Sequence, residues 1–360
     1  MEQSTDRQFS GNHGGSESGP ITVRPYSGSG KEWDAYVNNN PDATLYHLHS
    51  WRHVLSESLG HESTYLAAYQ GERIVGIAPL VLVKSRIFGV SLSSMPFLNY
   101  GGVCANTPEA QLALYTAAID LAKGHQANYL EFRNVRQPAD SHPIKLEKAT
   151  YILPLAATEE ETFAAFRKAT RNRIRKVDEH KLEMTRGRDI VNEFYRGFAI
   201  AMKEHGTPVL PKSFFEAVRK HFGNMVCFYV ASKDGDPAGV KLTITWRDTM
   251  FHIWGGYPSK HKTRLANYLV SWEATRDAIK AGLKQCDFGR STKESGPADF
   301  KRHFGCQEFQ LYWEYPYLAT GSLPSLNPSN KKYQMAIAVW SRLPLPITTL
   351  LGPRLSRFIP

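Results

Sequence analysis

The chain has 360 residues, 42% of them hydrophobic and 12% aromatic, which is enough for more than one core and too apolar for a disordered protein. Its formal charge of +10 and pI near 9.3 direct expectation to anionic partners: nucleic acid, nucleotide sugars, coenzyme phosphates or an acidic membrane face. No run reaches the roughly 18 apolar residues of a membrane span, and Cys104, Cys227, Cys286 and Cys306 form no Cys-x-x-Cys pair, so free thiols in a reducing cytoplasm and no metal site are expected.

In chain order, residues 1–20 are rich in Gly, Ser, Asn and Gln and read as a disordered tail without the apolar centre of a signal peptide. His47, His49 and His53 could place two rings on one helix face, but no Cys or acidic pair accompanies them. From Ile21 an internal repeat is expected. Its first copy has strands at Ser63–Tyr69 and Ile74–Lys84, an apolar run from Val90 to Tyr100, a helix at Pro108–Lys123 and a strand at Tyr129–Arg133. Its second copy has strands at Val226–Ser232, Ala238–Trp246 and Thr249–Tyr257, a helix at Leu265–Ala281 and a strand at Gln285–Arg290. Both copies close on an acidic residue, Phe and Arg: Glu131-Phe132-Arg133 and Asp287-Phe288-Gly289-Arg290. The fold class expected is α/β (α+β), two tandem domains with mixed central sheets, at residues 21–155 and 156–318, followed by a tail at 319–360.

Between the copies, Arg167 to Lys176 carries six Lys or Arg residues and no acid. Thr158 and Glu161 read as the capping box that starts this basic helix. Its cations suit phosphate or an RNA backbone, or form an ordinary solvated face. The stretch Lys284–Thr292 gathers the most chemistry at a strand's carboxyl end: Asp287 as proton acceptor, Arg290 as anion fork, Gly289 for a turn, and the Ser291 and Thr292 hydroxyls. Read structurally, it is a strand and a capped turn in which Asp287 and Arg290 pair.

The strand, strand, strand, helix, strand order resembles the middle of a GNAT-type acyltransferase. The tandem arrangement is similar to the FemAB family, in its branch associated with exosortase (PEP-CTERM) and exopolysaccharide loci. The residues carrying the resemblance are Lys84 to Gly89 (Lys-Ser-Arg-Ile-Phe-Gly), Met95-Pro96-Phe97-Leu98-Asn99-Tyr100-Gly101-Gly102, Arg171-Asn172-Arg173-Ile174-Arg175-Lys176, Gly206-Thr207-Pro208, Asp287 to Thr292, and Phe300-Lys301. The resemblance implies transfer of an acyl or aminoacyl group to an amine of a cell-surface glycan or peptidoglycan precursor. No tightly bound cofactor is expected, and the donor is acyl-coenzyme A, an acyl carrier or aminoacyl-tRNA. The tRNA donor ranks last, because the helical-hairpin arm of Fem ligases that use it has no counterpart here. In the second copy, Ser259 to Asn267 replaces the Gly-rich pyrophosphate loop of coenzyme-A enzymes with basic side chains.

The expected catalytic residues are Asp287 as base, with Arg290 and Lys301 holding the oxyanion. The resemblance marks Arg171, Asn172, Arg175 and Lys176 for an anionic or lipid-linked glycan substrate. Asn99 and Tyr100 are expected to open a cleft or to cap a turn. His205 and Thr207 lie on a loop within reach of it, Asn267 and Tyr268 open the helix beside it, and Trp254 leaves room for a sugar or acyl chain to stack. The competing class is a non-catalytic degenerate pair that binds RNA or glycan through its basic face.

After Glu314 there is no acidic residue, while Lys331, Lys332, Arg342, Arg354 and Arg357 are spread among apolar residues. Pro344, Pro346 and Pro353 are expected to interrupt any helix. The segment either lies on an anionic inner membrane face, making the cytoplasmic protein peripheral, or docks back through Trp340.

Overall fold

The computed structural model describes residues 19–85, 89–138, 142–321, 323 and 331–359. The tail expected at 1–20 lies outside these residues up to 18, as do Arg86, Ile87 and Phe88 of the first family motif. The chain opens with β1 (Ile21–Pro25), α1 (Gly30–Asn39) and α2 (Ser50–Leu59). There follow β2 (Glu62–Gln70), β3 (Arg73–Ser85), β4 (Gly89–Ser94), β5 (Cys104–Ala105), α3 (Pro108–Gly124) and β6 (Tyr129–Asn134). Thr107 caps α3 by accepting from the Ala110 amide, and Pro108 begins the helix where no donor is needed. The apolar run from Val90 to Tyr100 leaves the sheet after Ser94, where Met95 and Phe97 adopt positive φ of 47° and 70°.

Next come β7 (Ile144–Lys145), β8 (Lys148–Pro154), α4 (Glu159–Ala165) and α5 (Lys168–Lys176). The Thr158 side chain accepts from the Glu161 amide as expected. The single basic helix is nevertheless two helices: Phe166 and Arg167 are extended, and the Phe166 ring drops into the core against Trp272 and Phe304. Then β9 (Glu183–Gly187), α6 (Val191–Glu204), α7 (Lys212–Phe222), β10 (Val226–Lys233), β11 (Asp236–Trp246) and β12 (Thr249–Gly256) lead into α8 (Ala266–Lys280). The chain ends with β13 (Gln285–Thr292), α9 (Gly296–His303), β14 (Gln307–Gln310), β15 (Tyr312–Leu318), α10 (Lys331–Arg342) and α11 (Leu345–Ser356).

One sheet runs β1-β2-β3-β4-β6-β15-β7 with β5 beside β3, and the other runs β14-β8-β13-β12-β11-β10-β9. Pairing is antiparallel except between β4 and β6 and between β12 and β13. The halves trade strands. β8, counted above with the first domain, pairs with β13 in the second sheet, while β15 returns to pair with β6 in the first. A boundary at residue 155 therefore separates β8 from its own sheet. One apolar cluster also crosses between the halves, joining Trp33, Tyr46 and Trp51 to Phe194, Phe214 and Phe222, with the Trp51 and Phe222 rings 4.5 Å apart.

The tail corrects its expectation. Pro344 does separate two helices, α10 and α11, but within α11 Pro346 occupies the first turn, where an amide would lack a partner, and Pro353 lies inside the helix without ending it. Both helices pack over the loop that follows α6. A side chain at Gly206 would sit 2.3 Å from Ile337 Cγ2, and one at Gly352 would meet Val209 at 3.1 Å. Trp340 is buried.

Candidate functional site

β12 and β13 lie side by side only from Thr249 and Gln285 to Phe251 and Asp287. Beyond that, β12 follows β11 while β13 follows β8, and the wedge between them opens into a cavity of about 770 Å³. The equivalent parting of β4 from β6, after Ser93 and Glu131, is filled instead. There the segment from Met95 to Gly101 folds back so that the Gly101 amide donates to Arg133 O and the Arg133 guanidinium donates to Leu98 O. Arg133 also pairs with Glu131 at 2.8 Å, and Tyr315 donates to the other oxygen of Glu131. One splay of the repeat is thus plugged by its own chain and the other is open.

Asp287 lies beneath the open wedge, 1% exposed. Its Oδ1 accepts from the Thr150 hydroxyl at 2.9 Å and the Gly289 amide at 2.7 Å, and its Oδ2 accepts from the Tyr100 hydroxyl. Burial raises its pKa, and these hydrogen bonds oppose the rise. Held by three donors and absent from the cavity lining, Asp287 sits as an anchor beneath the wedge, where the sequence leads one to expect a substrate-facing base. It forms no pair with Arg290 either. What it fixes is the bulge of β13: Gly289 has φ +73°, and a Cβ there would lie 2.9 Å from Asn99 Nδ2.

Above that floor the cavity wall is cationic. Lys241 Nζ donates to Ser271 Oγ at 2.8 Å and lies 3.4 Å from His252 Nδ1. Burial lowers the Lys241 pKa to about 8. His252, buried and stacked on Phe288 at 4.4 Å, is held neutral, first by burial and then by Lys241. If Nδ1 accepts from Lys241, the ring proton sits on Nε2, which has no partner among the described residues. Lys301 Nζ donates to Gly289 O at 2.7 Å and Arg290 O at 3.0 Å, and burial brings its pKa down to about 7. These groups supply what acyl transfer to an amine needs: amines that are partly neutral near pH 7, and donors for a developing oxyanion.

Of the residues expected from the sequence, Asn99, His205, Trp254, Asn267, Tyr268, Gly289, Arg290, Ser291 and Lys301 line the cavity. Trp254 also packs edge-on against Phe214 and Phe215, so part of its face belongs to the core. Tyr100 lies below, on Asp287. Arg171 donates to the carbonyls of Ala164 and Phe166 and serves the break between α4 and α5. Asn172, Arg175 and Lys176 are exposed outside the cavity, with Arg175 over the Phe163 ring, and Thr207 and Thr292 are also outside it, with Lys148 donating to Thr292. From the basic helix only Arg173 reaches the cavity, donating to the Tyr268 hydroxyl at 2.7 Å. Lys241, His252 and Arg173 were not singled out from the sequence. The signal was there in Lys241 and His252, single polar residues inside otherwise apolar strands. His47, by contrast, takes a structural role, bridging the Thr44 amide and Gly102 O.

Residues 164–302 match the model of the acetyltransferase (GNAT) domain, a span that holds the open wedge and its cations. No curated protein sequence matches the chain. Among solved structures, FemX is similar with a TM-score of 0.59 at 14% identity, over 81% of this chain and 96% of that one. A tandem GNAT protein from the clavulanic acid biosynthesis pathway gives 0.52 at 10%, over 83% and 100%. L-PGS from Bacillus licheniformis gives 0.51 at 11%, over 90% and 96%. The fold is a tandem GNAT fold, with a GNAT acetyltransferase domain matched over residues 164–302.

Proposed function

We propose that the second-domain wedge transfers an acyl or aminoacyl group from an activated donor to an amine on a cell-surface glycan or peptidoglycan precursor. The observation that carries this reading is the open, cation-lined parting of β12 and β13 inside the GNAT-matching span, set against the plugged parting of β4 and β6. The amine nitrogen attacks the acyl carbon, the bond from that carbon to the donor's sulfur or oxygen breaks, and the proton leaving nitrogen passes to a neutral amine in the wall, Lys301 or Lys241. His252, a cavity-lining ring whose Nε2 has no partner among the described residues, is the donor left for the oxyanion. Lys262 and Arg173 at the mouth suit the phosphates of the donor, be it acyl-coenzyme A, an acyl carrier or, with less support, aminoacyl-tRNA. An assay of purified protein with amino-sugar nucleotides and these donors tests the reading. Lys301→Gln and Lys241→Gln should each lower kcat by ~10²-fold or more, and undiminished turnover in both would remove the wedge from the mechanism.

The tail bears on where the reaction occurs. No described helix is long and apolar enough to cross a membrane. Yet α10 and α11 turn Met335, Val339, Ile347, Leu350, Leu351 and Leu355 to solvent beside exposed Arg342 and Arg354. They do so directly over the loop after His205, at the cavity wall. We read this face as lying on an anionic membrane beside lipid-linked precursors, with the protein at the inner surface of the cytoplasmic membrane. Burying two such side chains is worth about 3–6 kcal/mol, so Met335→Glu/Leu350→Glu should reduce co-sedimentation with phosphatidylglycerol vesicles by ten-fold or more, and equal partitioning would leave the tail as an ordinary packed terminus.

A further inference from the structure

We propose that the substrate held in the wedge carries a carboxylate or phosphate that seats on Arg290, at the seam between the two domains. This rests on the transferase reading above and narrows its substrate class. Arg290, Lys241 and Lys301 arrive at one cavity from three elements, β13, β11 and α9. The acids around them are already engaged. Asp287 accepts from Tyr100, Thr150 and the Gly289 amide, and Asp299 at the mouth pairs with Arg302 at 2.8 Å. Glu131, the remaining nearby carboxylate, is taken by Arg133 and Tyr315. Arg290 itself forms no ion pair among the described residues; its burial and the neighbouring Arg133 work against its charge, and Glu131, beyond ion-pair distance, only partly offsets them.

The surroundings of Arg290 are shaped for a flat, charged group. Its guanidinium stacks on the Trp313 ring at 5.0 Å, and Arg133 stacks on the same ring at 4.5 Å. Stacking leaves the guanidinium edge, with its fork of donors, free for a planar or tetrahedral anion. The Trp313 Nε1–H in the same stack is buried and lacks an acceptor among the described residues. A half-buried guanidinium with no carboxylate paired to it is less favourable for the protein alone than once an anion arrives. Trp313 belongs to the strand that returns to the first sheet, so the seat is built from both domains.

Calorimetric titration of the full-length protein with inorganic phosphate and with acetate, at low ionic strength, tests this without requiring turnover. Saturable binding of at least one anion is expected, weakened roughly tenfold or more in Arg290→Gln and partly kept in Arg290→Lys, which retains charge but not the fork. Lys123→Gln, exposed on α3 away from the cavity, should leave that affinity unchanged. Preference for phosphate points to a nucleotide or lipid-linked phosphate, and preference for acetate to a sugar or peptide carboxylate. The proposal fails if wild-type protein binds neither anion saturably, or if a thermally intact Arg290→Gln binds as wild type does. Anion binding with no acyl transfer would instead sink the transferase reading and leave the seat standing.

Discussion

Asp287→Ala should lower stability by about 3–5 kcal/mol and abolish activity with it, whereas Asp287→Asn should retain most of both. Alanine strands three donors at once: the hydroxyls of Tyr100 and Thr150, and the Gly289 amide. Tyr100 and Thr150 come from the first half and from the traded strand β8, so the loss loosens the seam as well as the bulge. Asparagine keeps the size and one carbonyl oxygen, enough for the Gly289 amide and the Thr150 hydroxyl, and forfeits about 1 kcal/mol at Tyr100. Urea unfolding together with kcat on each variant separates the roles. If Asp287→Asn unfolds like wild type but turns over ~10²- to 10⁴-fold more slowly, the carboxylate is the base after all and the anchoring role is wrong.

Lys301 should make the protein more stable as pH rises from about 7 toward 10.5. In the unfolded chain its amine binds a proton below 10.5, but in the fold, chiefly through burial, only below about 7. Between those values the unfolded state holds the extra proton, so each step up in pH favours the folded state, and below about 7 the contribution is constant. Partial exposure to the cavity discounts the effect to about 2–4 kcal/mol across the window. Tyrosines and cysteines titrate in the same range, so the measurement is the difference between wild type and Lys301→Met in chemical denaturation at pH 7 and pH 10. Wild type should gain on the variant by that amount. Parallel pH curves would mean that Lys301 titrates as an exposed lysine and is a poor choice of base.

The repeat was legible in the sequence because its strands and helices are local. Runs such as Ile74–Lys84 and Val226–Ser232, with Gly or Asp-Gly turns between them, declare themselves within a dozen residues, and the structure places β3 and β10 on them. The wedge was half legible: Gly289, Arg290 and Lys301 stood out by type, and they line the cavity. The role of Asp287 was hidden because its partners Tyr100 and Thr150 are distant in sequence and nothing local marks them as donors. Lys241 and His252 were passed over because they lie in strands whose other residues read as core. The prolines of the tail overstate the break: Pro344 does separate α10 from α11, but Pro346 falls in the first turn, which needs no amide partner, and Pro353 removes one hydrogen bond of α11 without ending it.

The trade of β8 for β15 also governs when this protein can take shape during synthesis. The first sheet has its β6 edge from residue 129, but the strand that covers that edge is made only at 312–318. A ribosome adding ~5–20 residues per second takes about nine seconds or more over that interval, during which β6 presents unpaired amides and carbonyls. β8 meanwhile waits for β13. The nascent first half is therefore an open-edged intermediate that invites pairing with another chain, and chaperone capture of that edge, rather than folding of an autonomous amino-terminal domain, is the behaviour the topology imposes.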